Sequence, residues 1–344
     1  MNKKILLLGI LMGVSGCQSM GPSLDTSNTL YRGDHSVLYQ VQQQASSPEQ
    51  AMRMGDAAYR GGALDQALYQ YLRALELDPK RYEALVWVGR IHRERGNDHL
   101  AEMAFSDVLN NDPDNLSALT EMGVLQLAER RADKAQELLT KAVAMDQKRL
   151  KGSVSASPTG LKVDAASPLK VYNGLGVLAD LSNDFEQAAQ YYHLAQQIDP
   201  RSALVANSQA YSFYLAGKWA DAESFYRRGI GFDPRYQPLW RNYGLLLARM
   251  GRYEEALSAF EQVENRAAAS NDVGYICLIE GKLDVAEQFF RSAIDQSPSH
   301  YEMAWENLRR IEQIRRIRLN GAGPGDQEAE AFAVVPSGSL RATP

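Results

Sequence analysis

Residues 82–115, YEALVWVGRIHRERGNDHLAEMAFSDVLNNDPDN, place apolar or small side chains at Leu85, Val88, Gly89, Ala101 and Phe105, then close on Asp112-Pro113. The same marks return on both sides at a spacing of 34 residues: Gly55, Gly89 and Gly123, Pro79 and Pro113, Pro200 and Pro234. A fixed period of this length predicts stacked supersecondary units that share one continuous core. Small residues at the glycine and alanine positions let two paired helices approach closely, and the large residues fill the gap between them. Proline stops the second helix of each pair, because it lacks the amide proton and clashes with the preceding turn. Asp-Pro pairs at 78–79, 112–113, 199–200 and 233–234 mark these stops.

The pattern resembles the tetratricopeptide repeat (TPR): Trp-x2-Leu-Gly-x2-Tyr, then Ala-x3-Phe, then Pro. Residues 169–202 supply Tyr172, Leu175, Gly176, Ala179, Ala188, Tyr192 and Pro200, and the stretch from 237 supplies Trp240, Tyr243, Gly244, Leu247, Ala256 and Phe260. On this frame, repeats begin at 48, 82, 116, 169, 203, 237 and 267. The third has Gln147 where the proline belongs, the fifth has Ala206 and Ala210 at the Trp and Gly positions, and the sixth spans only 30 residues. The resemblance implies an all-α fold, a TPR α-solenoid wound as a right-handed superhelix of about seven repeats. Residues 301–319 are expected to cap it, with Leu308, Ile311 and Ile314 as the apolar stripe. Arg309, Arg310, Arg315, Arg316 and Arg318 make that helix basic, either as a solvated face or as a contact for acidic lipid or an acidic partner. Residues 320–344 read as a disordered tail. Between repeats 1–3 (48–149) and 4–7 (169–300) lies a Gly/Ser/Pro-rich insert, 150–168. It leaves two arrangements open: two lobes at an adjustable angle, or a surface loop on an array that still stacks.

The amino terminus carries a different message. Lys3 and Lys4 precede an apolar run from Ile5 to Val14, far short of the roughly 20 residues needed to span a bilayer. Residues 1–16 therefore read as a signal peptide. Val14-Ser15-Gly16-Cys17 resembles a lipobox, which implies cleavage before Cys17 and acylation of that residue. With Gln18 rather than aspartate after the cysteine, the expected destination is the outer membrane, lipid-anchored on its periplasmic face. Residues 17–47 form a Ser-, Gly- and Gln-rich tether.

The formal net charge is −5, with 37 basic and 42 acidic residues, and no basic stripe of the kind that tracks nucleic acid. The five histidines, His35, His92, His99, His193 and His300, show no metal-binding spacing, and neither G-x-S-x-G nor a phosphate-binding GxxxxGK[ST] occurs. His92 and Cys277 sit at packing positions of their repeats. No catalysis, cofactor, metal or small-molecule substrate is expected. Partner proteins are expected instead, along the first helix of each repeat, which lines the concave face of a TPR superhelix. Asn173, Asn207, Arg241 and Asn271 share position 5 of their repeats, Val177, Tyr211 and Tyr275 share position 9, Tyr214 falls at position 12, and Asn242 follows Arg241. Asparagine can donate to and accept from a peptide backbone at once. Tyrosine adds apolar area with a polar tip, so the strip suits an extended or helical segment. Trp87, Arg90 and Arg93, with Tyr59 and Arg60, form a smaller second patch.

A lipobox, a tether and TPRs in succession resemble two groups of pilus-linked lipoproteins. They are TadD of tight-adherence (Flp) pilus assembly and the PilF/PilW pilotins of type IV pili. The split array and Asn271-Asp272-Val273-Gly274-Tyr275 are more similar to TadD. The resemblance implies a scaffold that helps to place a secretin or other pilus-assembly component. An adaptor for envelope proteases or peptidoglycan enzymes is the alternative.

Overall fold

The computed structural model describes residues 45–151, 158 and 160–320. The signal peptide, Cys17, nearly all of the tether, part of the insert and the tail beyond 320 lie outside the described residues. Those residues form fifteen α-helices and no strand, none long and apolar enough to cross a membrane. The chain divides into two compact units, the first ending at Arg81 and the second starting at Tyr82.

The first unit holds one helical hairpin, α1 (Pro48–Arg60) and α2 (Leu64–Leu77). Ser47 caps α1 by accepting from the Gln50 amide at 3.2 Å, and Pro48 occupies the first turn, where its missing donor costs nothing. Tyr71 is fully buried beneath Gly55, and its hydroxyl donates to Asp56 Oδ1 at 2.7 Å.

The second unit repeats that hairpin. Its pairs are α3 (Tyr82–Glu94) with α4 (Asp98–Asn111), α5 (Leu116–Ala128) with α6 (Ala132–Arg149), and α7 (Leu169–Leu181) with α8 (Phe185–Ile198). Next come α9 (Ala203–Leu215) with α10 (Trp219–Phe232), α11 (Gln237–Arg249) with α12 (Tyr253–Phe260), and α13 (Arg266–Ile279) with α14 (Leu283–Gln296). Helix α15 (Glu302–Asn320) closes the series, burying Ala304, Leu308 and Ile311. One rule governs each hairpin. A small residue of the first helix faces a large one sixteen positions on: Gly89 and Phe105, Gly123 and Leu139, Gly176 and Tyr192, Gly244 and Phe260, Gly274 and Phe290. In the fifth repeat, Ala210 and Tyr226, both fully buried, hold the corresponding positions. The turn inside every hairpin passes through positive φ, at Gly62, Gly96, Arg130, Asn183, Gly217, Gly251 and Gly281. Among these turns, only Arg130 places a long side chain in that left-handed conformation; Lys151, after α6, adopts it too.

The insert does not separate two lobes. Leu139 of α6 lies where a Cβ on Gly174 of α7 would stand, 2.9 Å away, and one apolar cluster runs from Leu119 through Leu161 and Tyr172 to Val205. Gln147 explains the missing proline. Its amide accepts from Lys162 N at 3.0 Å and donates to Lys162 O at 2.6 Å, so it pairs with the insert as a strand backbone would. Arg149 reaches Asp164 through both terminal nitrogens, at 2.7 and 2.8 Å, and also binds Asp146. Buried Leu161 and Ser167 complete the seal. The sixth hairpin is short because α12 stops at Phe260, after which Glu261 to Glu264 turn directly into the Asn265 cap of α13.

Candidate protein-binding surface

In the second unit, the first helices of successive hairpins, α3, α5, α7, α9, α11, α13 and finally α15, pack directly on one another, and the second helices make no comparable contact. The first-helix layer is therefore the inner one, and its side chains meet at close range.

That closeness corrects the asparagine reading. Asn173, Asn207 and Asn271 are 3%, 3% and 0% exposed, so they do not face an open groove. Asn207 Oδ1 accepts from Asn242 Nδ2 at 2.9 Å, and Asn271 Oδ1 accepts from Asn307 Nδ2 of α15 at 3.1 Å. At Asn207 and Asn271 the buried amide is satisfied by an asparagine of the next first helix, a role that sequence reasoning saw as recurrence without its cause. Asn173 Oδ1 has no such partner. Tyr275 is buried as well, leaving Val177, Tyr211, Tyr214 and Arg241 half-buried on the surface. The Tyr211 and Tyr214 rings pack at a tilt of 32°, 5.5 Å between centroids, and the Arg249 guanidinium lies 6.0 Å from the Tyr214 ring. Burial holds both phenols above the ordinary tyrosine value.

Sequence reasoning also missed an apolar row. The last residue of α7, α9 and α13 is Leu181, Leu215 and Ile279, exposed by 63%, 43% and 45%, and the last residue of α11 is Arg249. The signal was available, since Leu181 and Leu215 are 34 apart, but such a position reads as a frayed helix end until the layer is seen.

The other predicted patch is assembled more tightly than expected. Arg90 and Arg93 of α3 and Lys170 of α7 converge on Glu121 of α5, whose side chain is 1% exposed. The distances are 2.9 Å from Arg90 Nε, 2.5 Å from Arg93 Nη1 and 3.2 Å from Lys170 Nζ. Burial alone would raise the Glu121 pKa, yet Lys170, Arg93 and Arg90 together hold it below the ordinary glutamate value. The Arg90 guanidinium sits 4.5 Å from the Trp87 ring centroid. Tyr59, half-buried, and Arg60, exposed, belong to the first unit.

A third polar cluster adjoins the shortened hairpin. Burial and the neighbouring Asp272 push Glu264 up to about 8, against the pull of Arg241. Neither Glu264 Oε1 nor Arg241 Nε has a hydrogen-bond partner. Cys277 is fully buried, and burial raises its thiol. Burial, and then Arg95, lowers the His92 pKa. No group of three or more His, Cys, Asp or Glu able to hold a metal occurs among the described residues.

Comparison with known proteins agrees with this architecture. One tetratricopeptide repeat model matches residues 52–115, 208–265 and 242–301, and a second matches 169–202, together just over half of the chain. DnaJ homolog subfamily C member 3 of Homo sapiens is 33% identical over 124 residues, 33% of this chain and 24% of that protein. The chain matches only 18% to 32% of the length of its curated relatives. A tetratricopeptide repeat protein from Parabacteroides merdae ATCC 43184 superposes with a TM-score of 0.50 at 17% identity, over 78% of this chain and 100% of that one, a likeness of fold alone. The pilF structure from Pseudomonas aeruginosa aligns at 16% identity over 76% of this chain and 96% of its own, with a TM-score of 0.42. With its repeats matched by family models and its hairpins stacked through a layer of first helices, the chain belongs to the tetratricopeptide-repeat family.

Proposed function

We propose that this chain is a non-catalytic, membrane-anchored scaffold that binds protein partners along its first-helix layer during assembly of a pilus or secretion machine. The exposed helix-end residues Leu181, Leu215 and Ile279, together with the half-buried Tyr211–Tyr214 pair, carry the binding reading. Large apolar side chains exposed at one register of three first helices, with Arg249 at the same register of a fourth, offer surface that a protein partner can cover. Anchoring through Cys17 is drawn from the lipobox resemblance, and the pilus role from the succession of lipobox, tether and repeats. Tethering at the outer membrane would hold the binding surface at high effective concentration near a membrane-embedded partner.

Both halves of the proposal are open to test in cells. Cys17→Ser should release the protein from the outer-membrane fraction, and normal processing with unchanged fractionation would refute the anchor. Leu181→Ser, Tyr214→Ala and Leu215→Ser combined should leave folding intact and cut partner co-purification at least about tenfold, equivalent to about 1.4 kcal/mol. Undiminished co-purification would remove this surface from the binding site.

A further inference from the structure

We propose that Arg90, Arg93 and Lys170, gathered around Glu121 beside Trp87, form a docking site for an acidic, leucine-bearing segment of a partner protein. The inference rests on the scaffold reading and names the chemistry of one contact within it. Its basis is a charge imbalance: three cations from two helices meet one carboxylate from a third, leaving a surplus of two positive charges inside the cluster. Glu121 is sealed from solvent, so its oxygens serve to pin the cations. The cation side chains themselves remain 25%, 21% and 43% exposed for Arg90, Arg93 and Lys170. Each guanidinium carries five donors in a planar fork, and Glu121 engages only part of each fork.

The environment strengthens attraction for a second anion. Burial, then Arg93 and Arg90 acting against Glu121, lowers the Lys170 pKa, so the three cations destabilise one another and an added carboxylate relieves them. Trp87, half-buried under Arg90, supplies an apolar face for a leucine next to the acidic residue. Trp and Arg together are the residue types that dominate binding energy at protein interfaces. The whole chain carries a net charge of −5, so a locally cationic site departs from its surroundings and would steer an acidic segment to this place. Lys170 lies in the first turn of α7, just after the insert, so the docked arrangement of the insert helps to place the third cation in the cluster.

The test uses the full chain without its signal peptide. Two rhodamine-labelled decapeptides are compared by fluorescence anisotropy, one alternating Glu and Leu, the other Gln and Leu. The glutamate peptide should bind at least about tenfold tighter, and that advantage should shrink as salt is raised, as expected for partly exposed charges. Arg93→Gln with Lys170→Gln should abolish the advantage, whereas Met103→Gln, at an exposed position of α4 outside both surfaces, should keep it. If the double variant melts early, Lys170→Gln alone decides, because Glu121 retains Arg90 and Arg93; it should lose at least half of the advantage. Equal affinity for the two peptides, or an advantage that survives in a folded variant, would overturn the proposal. So would displacement of the glutamate peptide by inorganic phosphate at the concentration at which unlabelled glutamate peptide displaces it. Partner co-purification is scored in parallel. Capture that survives Lys170→Gln leaves the scaffold reading standing and removes only the acidic-segment assignment.

Discussion

The same substitution should have opposite signs at two glycines of the array. A Cβ on Gly176 would lie 2.5 Å from Tyr192 Cε1 and 2.8 Å from Cδ1 and Cζ. Carbon atoms rest at about 3.5–4.0 Å, so the ring must retreat by roughly 1 Å. Tyr192 cannot retreat freely: it is 1% exposed, and its hydroxyl donates to Asp180 Oδ2 at 2.6 Å while Ser212 donates to the other Asp180 oxygen at 2.6 Å. Overpacking costs about 1–3 kcal/mol, and displacing a hydrogen bond to a buried group adds about 1–3 kcal/mol. Alanine recovers about 1 kcal/mol of helix propensity. The net expectation for Gly176→Ala is a loss of about 1–5 kcal/mol. A Cβ on Gly231 of α10 would meet nothing within 4 Å, so Gly231→Ala keeps only the propensity gain, a few tenths to about 1 kcal/mol. Urea unfolding followed by far-UV circular dichroism would read both changes. Hydrogen exchange at the α7 and α8 amides would place the first one, since repeat arrays can open locally. A shift of the same sign for both variants, or a Gly176→Ala change within about 0.5 kcal/mol of zero, would refute the close-approach account of the repeat glycine.

Two further predictions concern buried polar groups. Asn207→Ala and Asn242→Ala should each cost about 1–3 kcal/mol, because each strands the other amide, and the double variant should cost less than their sum by about 0.5–1.5 kcal/mol; additive losses in a double-mutant cycle would show that the pair does not interact. Glu264 binds its proton more tightly when folded, up to about 8, so its contribution to stability is full below the ordinary glutamate value and is lost as pH rises to about 8. Each pH unit in that window should remove at most about 1.4 kcal/mol, and Glu264→Gln should flatten this part of the pH–stability curve; an unchanged slope in the variant would place the titration elsewhere.

The repeat itself was legible because it rests on local rules. Gly89 with Phe105 and Gly176 with Tyr192 recur at a fixed offset, and Asp-Pro pairs end the second helices, so spacing alone specifies the hairpin and its sharp stops. Contacts between hairpins obey no such offset. Asn207 and Asn242 lie 35 apart, Asn271 and Asn307 lie 36 apart, and whether an asparagine meets a peptide or the next helix depends on how closely two helices pack. The insert was ambiguous for the same reason, since a Gly/Ser/Pro composition reads as loop whether or not Gln147 and Arg149 hold it. Trp87, Arg90 and Arg93 could be named from one repeat, but Glu121 and Lys170 complete their cluster from two others. The sequence by itself determined the repeated unit, its small-to-large pairing and its turns, because these depend on residues within one period. Only the tertiary structure decided which polar side chains are sealed and which stay open, because burial is set by neighbours tens of residues away in the chain.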